Sequence, residues 1–235
     1  MNQLNIPQPG PQSGPQPSFV NPWIDISVPV HEGMASWPGD PGLHFDRVMN
    51  QENGDICTLT QVAMSAHTGT HMDAPLHFVR KSPTIEQMPL DATVGPARVI
   101  SIQDRQAIRR AELLRHSIQS GERILFRTAN SDRDWSGLPF DEDFIFIARD
   151  AAEYLAECRV RAVGVDYLSV GGYKQDGVET HVALLGAGIW LMEGLALGQV
   201  GPGNYDLVCL PLKWVGAEGA PARAILRRTE IRPSK

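Results

Sequence analysis

Three of the chain's seven histidines, His67, His71 and His77, fall within eleven residues, with Asp73 between them. The segment reads His67-Thr68-Gly69-Thr70-His71-Met72-Asp73-Ala74-Pro75-Leu76-His77-Phe78. Imidazole nitrogens and a carboxylate oxygen are the donors that Zn²⁺, Mn²⁺ and similar borderline cations accept. His67 and His71 are four apart and would share one face of a helix. Gly69, two threonines and Pro75 argue against a long helix, and a loop or single turn can also bring two imidazoles together. Asp73 adds a carboxylate two residues later. Gly69 permits an unusual backbone conformation or a close approach, and Thr70 could supply a supporting hydrogen bond. His67, His71 and Asp73 therefore read as metal ligands, whereas His31, His44 and His116 read as ordinary packed or surface residues.

A site for two ions needs further donors. His181 and Glu193 are the downstream candidates, and both sit in apolar sequence. Glu193 is flanked by Leu191, Met192, Gly194 and Leu195, which predicts burial, and a buried carboxylate must be paired or bound to a metal. Taken alone, each of the two is as readily an ion-pair partner as a ligand. Other chemistries lack their signatures. There is no G-x-S-x-G for a serine hydrolase. Gly186-Ala187-Gly188-Ile189-Trp190-Leu191 begins like a dinucleotide loop but has Leu191 where the last glycine belongs. Cys57, Cys158 and Cys209 form no C-x-x-C pair, and their number and spacing suit a reducing, cytoplasmic compartment better than a disulfide framework. Asp40 and Asp46 read as turn residues.

These residues must be positioned by a mixed set of elements. Alternation over 24–30 and 56–64 predicts strands, as do 97–102 and 122–128. The apolar runs at 162–170 and 205–212 predict buried strands, with a last strand at 222–228. Helical patterns occupy 106–117, with Gly121 as a stop, and 148–159. Trp37-Pro38-Gly39-Asp40 is turn chemistry. Strands outnumber helices without a regular βαβ alternation, so the expected fold class is α/β, a single domain with a mixed sheet. The first 22 residues hold six of the 18 prolines among Gln, Gly and Ser, which predicts a flexible tail. One domain over 23–235 follows.

Composition bounds the partners. With 21 Lys and Arg against 27 Asp and Glu, the net charge of −6 offers no footprint for nucleic acid. No run approaches 18 apolar residues, so no membrane span is expected. These exclusions name no partner; the small-molecule substrate is implied only by a family resemblance that the histidine motif carries.

The motif H-x-G-T-H-x-D-x-P-x-H, from His67 to His77, resembles the signature of the cyclase family of metal-dependent hydrolases, which includes bacterial kynurenine formamidase and isatin hydrolase. Trp37-Pro38-Gly39-Asp40, Leu125-Phe126-Arg127-Thr128 and the stretch from His181 through Glu193-Gly194-Leu195 to Gly219-Ala220-Pro221-Ala222-Arg223 are similar to other family segments. The resemblance implies a swivelling β/β/α fold, assembled as homodimers or homotetramers. It implies one divalent ion on His67, His71 and Asp73. A second would share Asp73 and be held by His181 and Glu193, with Glu193 also touching the first. The metal, Zn or Mn, is left open because these donors suit both. His77 is implied as proton donor and acceptor, and Trp37 as a wall of the substrate pocket. The implied activity is cleavage of an amide C–N bond by metal-activated water. The expected substrate is an aryl formamide such as N-formylkynurenine, in tryptophan catabolism. Asp166-Tyr167-Leu168-Ser169 stands where the formamidases carry D-T-P-S, which keeps a cyclic amide or lactone hydrolase of the isatin type as the alternative. A metal-stabilised binding protein without turnover is a further alternative, and His77 speaks against it, since a structural site has no use for a proton carrier.

Overall fold

A computed structural model describes residues 22–229. The tail expected over 1–22 lies outside the described residues apart from Pro22. In chain order the elements are β1 (Trp23–Asp25), β2 (His44–Met49), β3 (Leu59–Ala63), β4 (His71–Asp73), β5 (Val94–Ser101), β6 (Ala107–Ile108), α1 (Arg110–Leu113), β7 (Arg123–Arg127), β8 (Phe146–Ile147), α2 (Arg149–Cys158), β9 (Ala162–Val165), α3 (Gly177–Gly186), β10 (Trp190–Glu193), β11 (Gly203–Pro211) and β12 (Gly219–Arg228).

The main sheet runs β1-β12-β11-β5-β7-β9-β10-β4, and β4 pairs back onto β12. Seven strands therefore close into a barrel, with β1 added to β12. Pairing is parallel from β5 through β7 and β9 to β10, and antiparallel elsewhere. The fold is thus mixed α/β in one domain.

The parallel strands read as unbroken apolar runs because both faces are covered. On β7, Leu125 points into the barrel with Met72, Met192 and Leu207. Ile124 and Phe126 point the other way, into a layer with Leu155 of α2 and Leu184 of α3. A third apolar cluster joins Val28, Met34, Trp135, Phe144 and Tyr167, with Trp37 packed at its margin. It lies beside the histidine segment.

Three local expectations change. The segment 106–117 is not one helix: Ala107 and Ile108 form β6, paired with Phe146 and Ile147 of β8. Only a short helix and a 3-10 turn follow, ending at Ser117 with φ 47°. Burial of Ile108 and Leu113 is met by strand pairing as well as it would be by a helical face. The first strand is short: Ile26 N still donates to Ala224 of β12, but the Ile26 carbonyl accepts from Ala196 N and Ser27 bridges Leu195. The third change concerns the motif. His71-Met72-Asp73 is a strand, β4, rather than loop. Alternation along it sends His71 and Asp73 to one face and Met72 into the barrel core.

Candidate metal centre

β4 is the central piece of the site. It lies between β10 and β12, with Glu193 opposite His71 and Gly219 opposite Asp73. His67 precedes β4 in a tight turn and returns its ring over Asp73, with Nδ1 3.0 Å from Oδ1. His71 Nε2 lies 3.1 Å from Glu193 Oε2 and 3.6 Å from Asp73 Oδ1. His181 enters from α3, with Nε2 3.4 Å from Glu193 Oε1 and 3.8 Å from Asp73 Oδ2. The five residues expected from the sequence are therefore brought together. Asp73 is fully buried, and His71, His181 and Glu193 are nearly so.

Hydrogen bonding fixes which ring nitrogens face the cluster. The Nδ1 of His71 donates to the Gly69 carbonyl at 2.9 Å, and that of His181 to the Gly177 carbonyl at 2.6 Å. A carbonyl only accepts, so both Nδ1 atoms carry hydrogen and both Nε2 atoms turn to the carboxylates. His71 Nε2 and Asp73 Oδ2 are buried and have no hydrogen-bond partner among the described residues. Such atoms cost about 1–3 kcal/mol each if left so. Two carboxylates and several imidazole nitrogens facing one another with orphaned atoms between them is a donor set fitted to a divalent cation. Two ligand groups share Asp73, one formed with His67 and His77 and the other with His71 and Glu193.

The titration behaviour carries the same message. Burial by itself would lower the pKa of His67, but the Asp73 carboxylate outweighs it and raises it to about 9. His181 is also raised: burial opposes, and the Glu193 contact and charge prevail. Burial works to raise Asp73 and Glu193, yet the surrounding imidazoles hold both below the usual carboxylate range. The pocket demands positive charge.

His77 sits in the 3-10 turn after β4, with Pro75 at its start. Its ring stacks on His67 at 4.2 Å between centroids and meets Phe78 and His181 edge-on. Burial, followed by repulsion from His67 and His181, pushes its pKa down against the pull of Asp73. The Phe78 ring in turn stacks on His181 at 4.2 Å. A cavity of about 580 Å³ opens over this group, lined among others by Trp37, His67, His77, Phe78, Leu168 and His181. Trp37 is held edge-on by Phe140 at 5.4 Å and Tyr173 at 5.6 Å. The Pro-Gly turn thus sets a flat side chain against the cavity. Leu168 and Ser169 also line it, so the departure from D-T-P-S falls on the cavity wall. Asp166 does not reach the cavity group. It is buried and accepts from Thr128 and Ser131.

Sequence reasoning missed one residue at the centre, Glu218. Its Oε1 lies 3.3 Å from His67 Nε2. The only signal was an acidic residue beside Gly219-Ala220-Pro221. Asp40 proves to be more than a turn residue, since it accepts from Ser65 Oγ at 3.0 Å and lines the cavity. Asp46 stays on an exposed strand.

Comparison with known proteins gives four findings. The cyclase family model matches residues 24–171. The kynurenine formamidase of Bacillus mycoides (strain KBAB4) is 34% identical over 205 residues, covering 87% of this chain and 97% of its own length. A solved structure described as a potential metal-dependent hydrolase with cyclase activity superposes with a TM-score of 0.78 at 38% identity, covering 88% of this chain and 98% of that one. Isatin hydrolase A of Labrenzia aggregata, at a TM-score of 0.77 and 22% identity over 88% of this chain and 94% of its own, shares the fold.

Proposed function

The chain belongs to the cyclase family, and from that premise we propose that it is a metal-dependent amidohydrolase cleaving the C–N bond of an aryl formamide such as N-formylkynurenine. One observation carries the reading. The Nε2 atoms of His71 and His181 are both turned to the buried Asp73 and Glu193 carboxylates because their Nδ1 hydrogens are committed to main-chain carbonyls. Such a junction of buried acceptors suits a cation, which satisfies several of them at once.

His67, His71, Asp73, His181 and Glu193 would hold up to two divalent ions, Zn or Mn, with Asp73 common to both. When bound, such an ion lowers the pKa of a coordinated water from 15.7 to about 7 and polarises a carbonyl. The chain's own residues do the rest. Trp37 packs on the planar ring of the substrate and orients it. Phe78 and Leu168 keep bulk water from the reacting bond. His77, neutral at neutral pH, takes a proton at an imidazole nitrogen and returns it to the leaving amine, which departs poorly until protonated. His77 thus has a role that a purely structural metal site lacks.

The same membership is our ground for assigning the barrel to the swivelling β/β/α class and for expecting a homodimer or homotetramer in the cytoplasm. No helix among the described residues is long and apolar enough to cross a membrane.

The test is a turnover screen of purified protein, with added Zn²⁺ or Mn²⁺, against N-formylkynurenine, isatin and simple aryl esters. Preferential hydrolysis of the formamide supports the reading. Preference for isatin moves the substrate to the cyclic amides. Absence of turnover with full metal occupancy would leave a binding protein in its place.

A further inference from the structure

Glu218 lies just before β12, and its main chain is fixed from both sides. Its carbonyl accepts from Ala74 N at 2.8 Å, and the neighbouring Gly219 is paired with Asp73 across the β4–β12 ladder. The loop that leads to it is anchored as well. Glu86 accepts from Gly216 N, and the Ala217 carbonyl accepts from Ile85 N. A side chain on so fixed a stem reaches a defined place, and its Oε1 stands 3.3 Å from His67 Nε2.

Gly219 completes the cradle. A Cβ there would lie 2.9 Å from His67 Cε1 and 2.8 Å from the Met72 carbonyl. Real Cβ atoms do not approach so closely, so any side chain at 219 would displace the His67 ring. Glu218 thus meets the ring's Nε2 corner, and Gly219 leaves room for its Cε1 edge.

We propose that Glu218 is a positioning residue that accepts the Nε2 hydrogen of His67 and thereby turns the Nδ1 lone pair to the cation site. Each ring nitrogen faces a carboxylate oxygen, Nδ1 that of Asp73 at 3.0 Å and Nε2 that of Glu218 at 3.3 Å, and a carboxylate oxygen only accepts. With a cation held on the Asp73 side, Nδ1 would give up its hydrogen, and the one that remains, on Nε2, would go to Glu218. His67 differs in this from His71 and His181, whose Nδ1 atoms carry the hydrogen and whose Nε2 atoms face the site. The partners that orient those two are main-chain carbonyls, which substitution cannot remove. His67 depends on a side chain, so the tautomer at this one ligand is open to mutation.

The inference rests on the metal-site reading above, and the experiment separates the two. Zn²⁺ affinity is measured by competition with a chromophoric chelator for the wild type, Glu218→Ala, Glu218→Gln and His71→Ala, with circular dichroism of each metal-free protein as a check on folding. Loss of a partner of this kind weakens metal binding by about 10–100-fold, which is expected for Glu218→Ala. Glu218→Gln should retain most of the affinity, because its side-chain carbonyl still accepts. Wild-type affinity in Glu218→Ala, with binding lost in His71→Ala, overturns the positioning role alone. Equal loss in the Ala and Gln variants also overturns it, since that pattern belongs to a carboxylate bound directly to the metal. Wild-type affinity in His71→Ala overturns the metal-site reading itself.

Discussion

His71 and Glu193 are cross-strand partners on β4 and β10, with Nε2 3.1 Å from Oε2, and the backbone beside them is as closely fitted as the side chains. Gly194 has φ 69°, and a Cβ on it would run into the Gly69 carbonyl, which itself accepts from His71 Nδ1. The same carbonyl that fixes the tautomer of His71 thus forbids a side chain at 194.

Gly194→Ala should therefore be doubly costly. A left-handed φ disfavours any L side chain by about 1–2 kcal/mol, and the overlap adds overpacking of about 1–3 kcal/mol. The expected result is a lowered midpoint of thermal unfolding together with reduced bound metal, read by elemental analysis. An unchanged midpoint would show that the two backbones can separate at little cost.

The proton-carrier role proposed for His77 sets an expectation for the acidic side of the pH profile. Burial and the neighbouring imidazoles lower its pKa, so the neutral form prevails at neutral pH and protonation sets in only below the ordinary value of 6.5. A nearby cation pushes in the same direction. As a proton acceptor, His77 should make kcat/KM fall along a limb whose midpoint lies below pH 6.5. His77→Asn should abolish that limb and reduce kcat by about 10²–10⁴-fold, with metal retained. Release of metal from the variant would make His77 a ligand, consistent with its place in one of the two ligand groups.

Trp37 is braced by Phe140 and Tyr173 and borders the cavity. Ring-on-ring packing contributes about 0.5–1.5 kcal/mol beyond area burial, or roughly two- to twelve-fold in an equilibrium constant. Trp37→Ala should raise KM for an aryl formamide by that factor and leave a small aliphatic formamide nearly unaffected. An equal rise for both substrates would assign Trp37 to cavity shape rather than ring packing.

The β2–β3 hairpin bears on assembly. Phe45, Val48, Leu59 and Val62 are all exposed on it, and Ile56 near its tip is 82% exposed. A two-stranded hairpin with apolar residues in water is marginal by itself, and its exposure suits a subunit contact. For the proposed homodimer or homotetramer, Phe45→Asp combined with Val62→Asp should lower the mass in light scattering to that of a monomer. A mass equal to the wild type would place the contact elsewhere.

Much of the chemistry is a property of composition and spacing, and so was legible in the sequence. His67, His71 and Asp73 are near neighbours along the chain, and donor chemistry does not depend on fold, whereas the roles of His77, His181 and Glu193 came from the family resemblance. The burial of Glu193 followed from its apolar flanks, and the structure bears this out. The strands β5, β7, β11 and β12 and the helix α2 were expected within a few residues, because there the apolar runs and the helical period agree with the packing around the sheet, as they did not over 106–117. The tertiary structure decided the rest. The segment containing β4 is full of Gly, Thr and Pro and read as loop; it is a strand because β10 and β12 offer it hydrogen bonds on both edges. α3 begins and ends with glycine and is apolar on most sides, so no clear helical face marks it, yet it delivers His181. Glu218 had no visible role, because its meaning comes from the β12–β4 pairing that sets it beside His67. A sequence states which donors exist, but cross-strand register states which atoms meet, since register depends on hydrogen bonds between segments far apart in the chain.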